Sequence, residues 1–146
     1  MSMHLTAERT VIAPASTVFE LFADASNNPR WQRGMKSCEW ITSAPIDVGS
    51  QYRQIASFLG RPVISTFEVT EFEPGRLIRI ETIESSFPIQ VTRRVTPIDA
   101  DRCLVTADIT GQPPGPDFLA PIIRSIAQWS VDRDYERLVE LLHRGD

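Results

Sequence analysis

Between residues 36 and 110 apolar side chains return at about every second position, and the stretches that interrupt this alternation are short and rich in turn formers. A period of two belongs to strands with one buried face, and such short interruptions suit antiparallel hairpins. Six strands are predicted here, over 36–43, 51–58, 62–72, 77–84, 89–97 and 103–110. The interruptions are 45–50, 59–61, Glu73-Pro74-Gly75, 85–88 and 99–102. Nothing repeats at a fixed longer period, so a solenoid is excluded.

The flanks differ from this central run. Residues 4–13 carry Thr, Val and Ile in loose alternation, predicting a further strand that ends at Pro14. Pro14 suits a first helical turn, Thr17 and Glu20 have capping-box spacing, and Val18, Phe19, Leu21, Phe22 and Ala25 recur at helical intervals. Asn28-Pro29 then opens a second, short helix that carries Trp31 and ends near Gly34. Gln112-Pro113-Pro114-Gly115-Pro116 forbids further strand, because proline cannot donate to a ladder, and Asp117 can cap a helix that starts beyond it. That helix is long, with a broad apolar face of Leu119, Ile122, Ile123, Ile126, Trp129, Val131, Tyr135, Leu138, Leu141 and Leu142.

One long amphipathic helix and seven strands predict an α+β architecture in which the helix covers one face of the sheet. The sheet must curl to grip that rod, and a curled sheet need not fill its own interior. The expectation is one helix-grip domain over residues 1–146, with a pocket at the helix–sheet seam and the two short helices closing its open end.

Fifteen Lys and Arg stand against nineteen Asp and Glu, a formal charge of −4, which is the wrong sign for neutralising phosphates. Nucleic acid is not an expected partner. No apolar run is long enough to predict a membrane span. Residues 1–10 hold no apolar segment behind a basic start, so no secretory signal is legible and the cytoplasm is the expected compartment. There Cys38 and Cys103, far apart and in no CxxC, are expected to be reduced core residues.

Alternation also selects side chains for the pocket. In strand 89–97, Ile89, Val91 and Val95 share a face with Arg93, which places a guanidinium in an apolar interior where it needs a carboxylate or a polar ligand atom. Glu81 on the neighbouring strand is the expected partner, with Arg79 two residues from it; the alternative is that these charges sit at a solvated rim. Tyr52 and Trp129 can offer an apolar body with a polar tip to a ring-shaped guest, or simply pack in the core, the plainer reading for Phe67 and Phe22. Trp31 is the expected gate. The predicted ligand-facing set is therefore Trp31, Tyr52, Phe67, Arg79, Glu81, Val91, Arg93, Ile126 and Trp129.

The same order of features resembles the SRPBCC superfamily, in the polyketide cyclase/dehydrase branch related to the birch-pollen allergen and START domains. The carriers are Ile12-Ala13-Pro14-Ala15 with Val18 and Phe19, Asn28-Pro29-Arg30-Trp31, and Gly49-Ser50-Gln51-Tyr52. Phe67-Glu68-Val69-Thr70-Glu71-Phe72-Glu73-Pro74-Gly75-Arg76-Leu77 is the most characteristic stretch, and Pro113-Pro114-Gly115-Pro116 precedes the final helix. The resemblance implies a helix-grip cavity. Its members include lipid or hormone carriers, chaperone co-factors, quinone-binding proteins and aromatic polyketide cyclases, so the fold does not choose among activities.

Chemical motifs are absent. His4 and His143 have no second ligand at metal spacing, and no GxSxG, P-loop or GxGxxG follows a strand, so no metal or cofactor is expected. Asp132, Asp134 and Glu136, interleaved with Arg133 and Arg137, read as a solvated helix surface. The expected function is binding or transport of a small hydrophobic molecule of lipid, polyketide or aromatic type. The alternative is a cyclase or dehydratase that holds a chain in a reactive bend, with Arg79, Arg93 or Tyr52 polarising a carbonyl and Glu81 moving a proton. A third reading is a partner protein docking on the convex sheet face, and a homodimer is also compatible with the chain.

Overall fold

The computed structural model describes residues 2–113 and 115–144, so Pro114 of the proline-rich linker lies outside the described residues. Seven strands form one antiparallel sheet: β1 (Met3–Val11), β2 (Met35–Trp40), β3 (Gln51–Phe58), β4 (Arg61–Glu73), β5 (Leu77–Glu84), β6 (Ile89–Pro97) and β7 (Cys103–Gly111). The spatial order is β1-β7-β6-β5-β4-β3-β2. Two short helices, α1 (Ala15–Ala23) and α2 (Asn28–Trp31), link β1 to β2, and α3 (Ala120–His143) comes after a 3-10 turn at Asp117–Leu119.

The turns explain why the strands pair as they do. Pro74 and Gly75 occupy the centre of the β4–β5 turn, where Gly75 takes φ 79 and the Arg76 N–H donates to the Glu73 carbonyl at 2.9 Å. Proline followed by a left-handed glycine is the combination a type II turn asks for. The pairing of β4 with β5 slips at Thr66/Phe67 and at Val69/Glu71. The extra residue is Ile83 of β5 at the first slip and Thr70 of β4 at the second, and an extra residue bends the strand that carries it, so this pair of strands wraps rather than lying flat.

The concave face is covered along one seam by α3. Ile123, Ala127, Tyr135, Leu138 and Leu142 are buried along one side of this helix, at spacings of three and four residues or their multiples. Val18, Phe19 and Phe22 of α1 are buried as well, and Phe19 meets Phe72 of β4 with ring centroids 5.9 Å apart. Across the sheet one inward row runs Ile78, Arg93, Ala107, Ala7, each directly opposite the next. Ala107 beside Arg93 and Ala7 beyond it leave the volume its long side chain needs.

The helix differs from its expected orientation. Ile126 is 40% exposed and Trp129 62%, and both face away from the sheet. The reason lies further along α3: the side that carries Ile122, Ile126 and Trp129 continues, at helical spacing, into Arg133, Arg137 and Glu140, whereas the buried side continues into Leu138 and Leu142. The C-terminal half sets the rotation, and the N-terminal half must adopt it.

Candidate functional site

A cavity opens at the seam between α3 and the concave sheet. Its outer part, about 250 Å³, is walled mainly by apolar side chains, among them Leu5, Ala56, Phe58, Val63, Phe87 and Ala127. Its inner part, about 150 Å³, is walled by Trp31, Tyr52, Phe67, Ile80, Val91, Arg93 and Tyr135. Gln32, Met35, Gln54, Ile89, Ile109, Val131 and Asp134 line both, so the two parts adjoin. The space results from the curvature of β4 and from small or short side chains, such as Ala56, Ala127 and Val131, where bulkier ones would close it.

The inner end is polar. Arg93 on β6 is only 7% exposed, and its Nε–H donates to the Tyr135 hydroxyl of α3 at 2.8 Å. The guanidinium carbon also lies 5.1 Å from the centroid of the Trp31 ring, a cation–π distance, and Trp31 stands edge-on to Tyr135 at 5.0 Å. Burial works against the Arg93 charge, but Tyr135, Tyr52 and Cys38 around it outweigh that and raise its proton affinity, so it remains a cation. Burial likewise drives the Tyr52 hydroxyl above the usual phenol range, leaving it neutral. Tyr52 stacks on Phe67 at 5.2 Å, which fixes both rings as cavity wall. Beneath them Cys38, Asn28 and Gln54 form a buried chain: the Asn28 amide reaches the Cys38 Sγ at 3.8 Å, and that thiol reaches the Gln54 Oε1 at 4.0 Å.

Alternation and residue chemistry placed Trp31, Tyr52, Phe67, Val91 and Arg93 in one set, and all five line the inner cavity. Four other residues need correction. Arg79 and Glu81 do not meet Arg93: pairing puts Ile78 opposite Arg93 and Glu81 opposite Gln90, so both charged residues lie on the opposite face of the sheet. There Arg79 donates to Gln90 at 2.9 Å and lies 3.9 Å from Glu81, in a half-exposed cluster. The alternation of Ile78 and Ile80 with Arg79 and Glu81 already carried this signal. Ile126 and Trp129 are absent from the cavity because of the helix rotation, and Trp129 stacks instead against Arg133 at 4.9 Å. Trp31 is no gate either: it is fully buried, held between Arg93 and Tyr135 as part of the inner wall.

Among the lining residues outside the predicted set, three polar ones stand out. Tyr135, the partner of Arg93, was legible only as a polar tip within the apolar stripe of α3. Gln54 shares the inward parity of Tyr52 and is buried, the same signature that revealed Arg93. Asp134 is not part of a solvated surface; its carboxylate accepts from the Arg33 backbone N–H at 3.2 Å and lines the cavity. Burial raises its pKa above the ordinary 3.8 despite that hydrogen bond and the nearby Arg133.

Both histidines are engaged in structural contacts. His4 pairs with Asp108 at 3.1 Å, and His143 Nε2 accepts from the Ile12 N–H at 3.1 Å. Cys38 and Cys103 are buried free thiols. Among the described residues no three His, Cys, Asp or Glu side chains gather into a metal site, and no helix is long and apolar enough to cross a membrane.

No curated protein matches this sequence. Solved structures do match its fold. A Thermus thermophilus protein superposes with a TM-score of 0.82 at 21% identity, over 98% of this chain and 99% of that one. A START superfamily protein from Mycobacterium smegmatis gives 0.77 at 18% identity, over 95% and 98%. An aromatase/cyclase, Zhui, from a Streptomyces species gives 0.77 at 17% identity, over 99% and 95%. At these identities the likeness concerns architecture alone. The sequence itself goes further: residues 2–143 match one family throughout, and the chain belongs to the polyketide cyclase / dehydrase and lipid transport family.

Proposed function

We propose that this protein binds a small, mainly apolar molecule in the space between α3 and the concave sheet. The observation that carries this reading is the cavity itself, apolar along its outer length and ending at the buried Arg93–Tyr135 pair. An apolar guest gains roughly 25 cal/mol for each Å² it removes from water, and the few polar groups at the inner end orient it. The description of its family, which includes lipid transport, points the same way.

Native mass spectrometry of freshly purified protein, followed by extraction, tests the reading. A stoichiometric apolar guest is expected, and Val131→Trp, which places an indole where the two parts of the cavity adjoin, is expected to expel it while circular dichroism stays unchanged. Protein that carries no guest and takes up none of a panel of neutral apolar compounds defeats the proposal.

One observation favours a second reading, catalysis of cyclisation or dehydration. Asp134, with its pKa raised by burial, lines the same cavity as Arg93 and Tyr135, so a proton acceptor and two donors for a carbonyl oxygen share one space. Glu81, on the other face of the sheet, is withdrawn from that role. Turnover of a poly-β-keto substrate that disappears in Asp134→Asn supports this second reading; unchanged guest and no turnover returns the case to binding alone.

A further inference from the structure

We infer that the guest carries an oxyanion on an apolar body, and that the anion sits against the Arg93 guanidinium and the Tyr135 hydroxyl at the inner end of the cavity. This inference rests on the binding reading above and adds the chemical class of the guest.

The argument starts from an uncompensated charge. Arg93 is almost wholly buried, yet among the described residues no carboxylate comes within ion-pair distance of it. Its sheet neighbours are Ile78 and Ala107, neither of which can balance a cation. The Trp31 face and the Tyr135 oxygen soften the desolvation cost but bring no negative charge. Asp134, an acid in the same cavity lining, is engaged by the Arg33 N–H and by Arg133.

The donors left over define what fits. A guanidinium has five N–H groups, and only Nε–H finds an acceptor among the described residues. Tyr135 spends a lone pair on that bond, which leaves its O–H to donate onward. Gln32, lining both parts of the cavity, has a buried Nε2 with no partner among the described residues. Three kinds of donor thus border one space whose other walls, such as Val91, Ile109 and Met35, are apolar. A neutral carbonyl can satisfy some of these donors, but only an anion also cancels the buried charge. Fork-shaped donors favour a carboxylate; a phenolate or enolate oxygen satisfies the same chemistry.

Calorimetric titration of guest-free protein separates the possibilities, using decanoate, methyl decanoate and pentachlorophenolate. Charge-assisted hydrogen bonds at a desolvated site predict that one or both anions bind about 10- to 100-fold more tightly than the ester. In Arg93→Met that preference falls to within about threefold, while the ester binds at least as well as before, which also reports that the variant is folded with its cavity intact. Arg93→Lys, keeping the charge without the fork, retains part of the preference. Preference for decanoate over pentachlorophenolate identifies the head as a carboxylate, and the reverse identifies a single oxyanion. Equal binding of ester and anions in the native protein, unchanged in Arg93→Met, overturns the oxyanion and leaves the apolar cavity standing. Failure of all three compounds to bind overturns both.

Discussion

The pairing of Arg93 with Tyr135 makes a quantitative claim about stability. Tyr135→Phe removes the only acceptor, among the described residues, of a buried, charged N–H at 2.8 Å while keeping the ring that packs on Trp31 at 5.0 Å. Leaving such a donor unsatisfied costs about 1.5–3 kcal/mol. Arg93→Met behaves differently, because it removes the buried charge together with its need for a partner and fills much of the same volume; the net change is within about 1 kcal/mol of zero. In the Arg93→Met background, Tyr135→Phe no longer orphans a cation and costs less than about 0.5 kcal/mol. The cycle therefore predicts a coupling of about 1–2.5 kcal/mol. Urea denaturation of guest-free protein at pH 7, monitored by circular dichroism and with unchanged slopes, measures each corner. For a chain of this length, Tyr135→Phe alone lowers Tm by roughly 5–10 °C. Additivity within about 0.5 kcal/mol refutes the reasoning, since the two residues then do not depend on each other.

Three further outcomes come from burial. Trp31→Ala is expected to cost about 3–5 kcal/mol by opening a cavity in the core, whereas Trp129→Ala, which loses only an exposed stack on Arg133, costs about 1 kcal/mol or less; equal losses in chemical denaturation contradict the helix rotation. Burial pushes the Cys38 thiol from 9.0 up to about 11, against the Asn28 hydrogen bond and the nearby Arg93. The fold thus favours the protonated thiol, so its contribution is complete below pH 9 and is lost as pH rises to about 11, on the order of 2–3 kcal/mol in all, and Cys38→Ser flattens that alkaline decline in stability. Alkylation of Cys38 by iodoacetamide at pH 8 should run far slower than in the unfolded chain, and equal rates contradict the burial. Asp134, with its raised pKa, favours its protonated form in the fold: its contribution is present below pH 3.8 and lost as pH rises through the folded value. Asp134→Asn, which keeps an oxygen for the Arg33 N–H, should change Tm relative to the native protein by an amount that grows more stabilising as pH rises; a difference independent of pH contradicts this account.

Much of the fold was legible because its signals are local. Spans 51–58, 77–84 and 89–97 coincide with β3, β5 and β6, since alternation, turn residues and strand length all agree there. The expected ends of β1 and β2 run too long, as Ile12 and Ala13 lead into α1 and Ile41 begins a turn-rich stretch before β3. Arg93 stands out because one charge in a row of Ile89, Val91 and Val95 breaks a pattern within a single strand. Glu81 misleads because proximity between strands says nothing about face; parity within each strand decides that, and Ile78 and Ile80 occupy the inner parity of β5.

By itself, then, the sequence determined the elements and their antiparallel order of hairpins, and marked Arg93 as the odd residue in an otherwise apolar row, all of which depend on neighbours a few residues away. Only the tertiary structure decided that Tyr135, forty-two residues further on, accepts from Arg93, that Trp31 is wall rather than gate, and that Ile126 and Trp129 face outward. The physical reason is that a helix can turn about its axis against a curved sheet without changing a single local preference. Its rotation is set by the whole buried stripe from Ile123 to Leu142, and with it which side chain meets the charge.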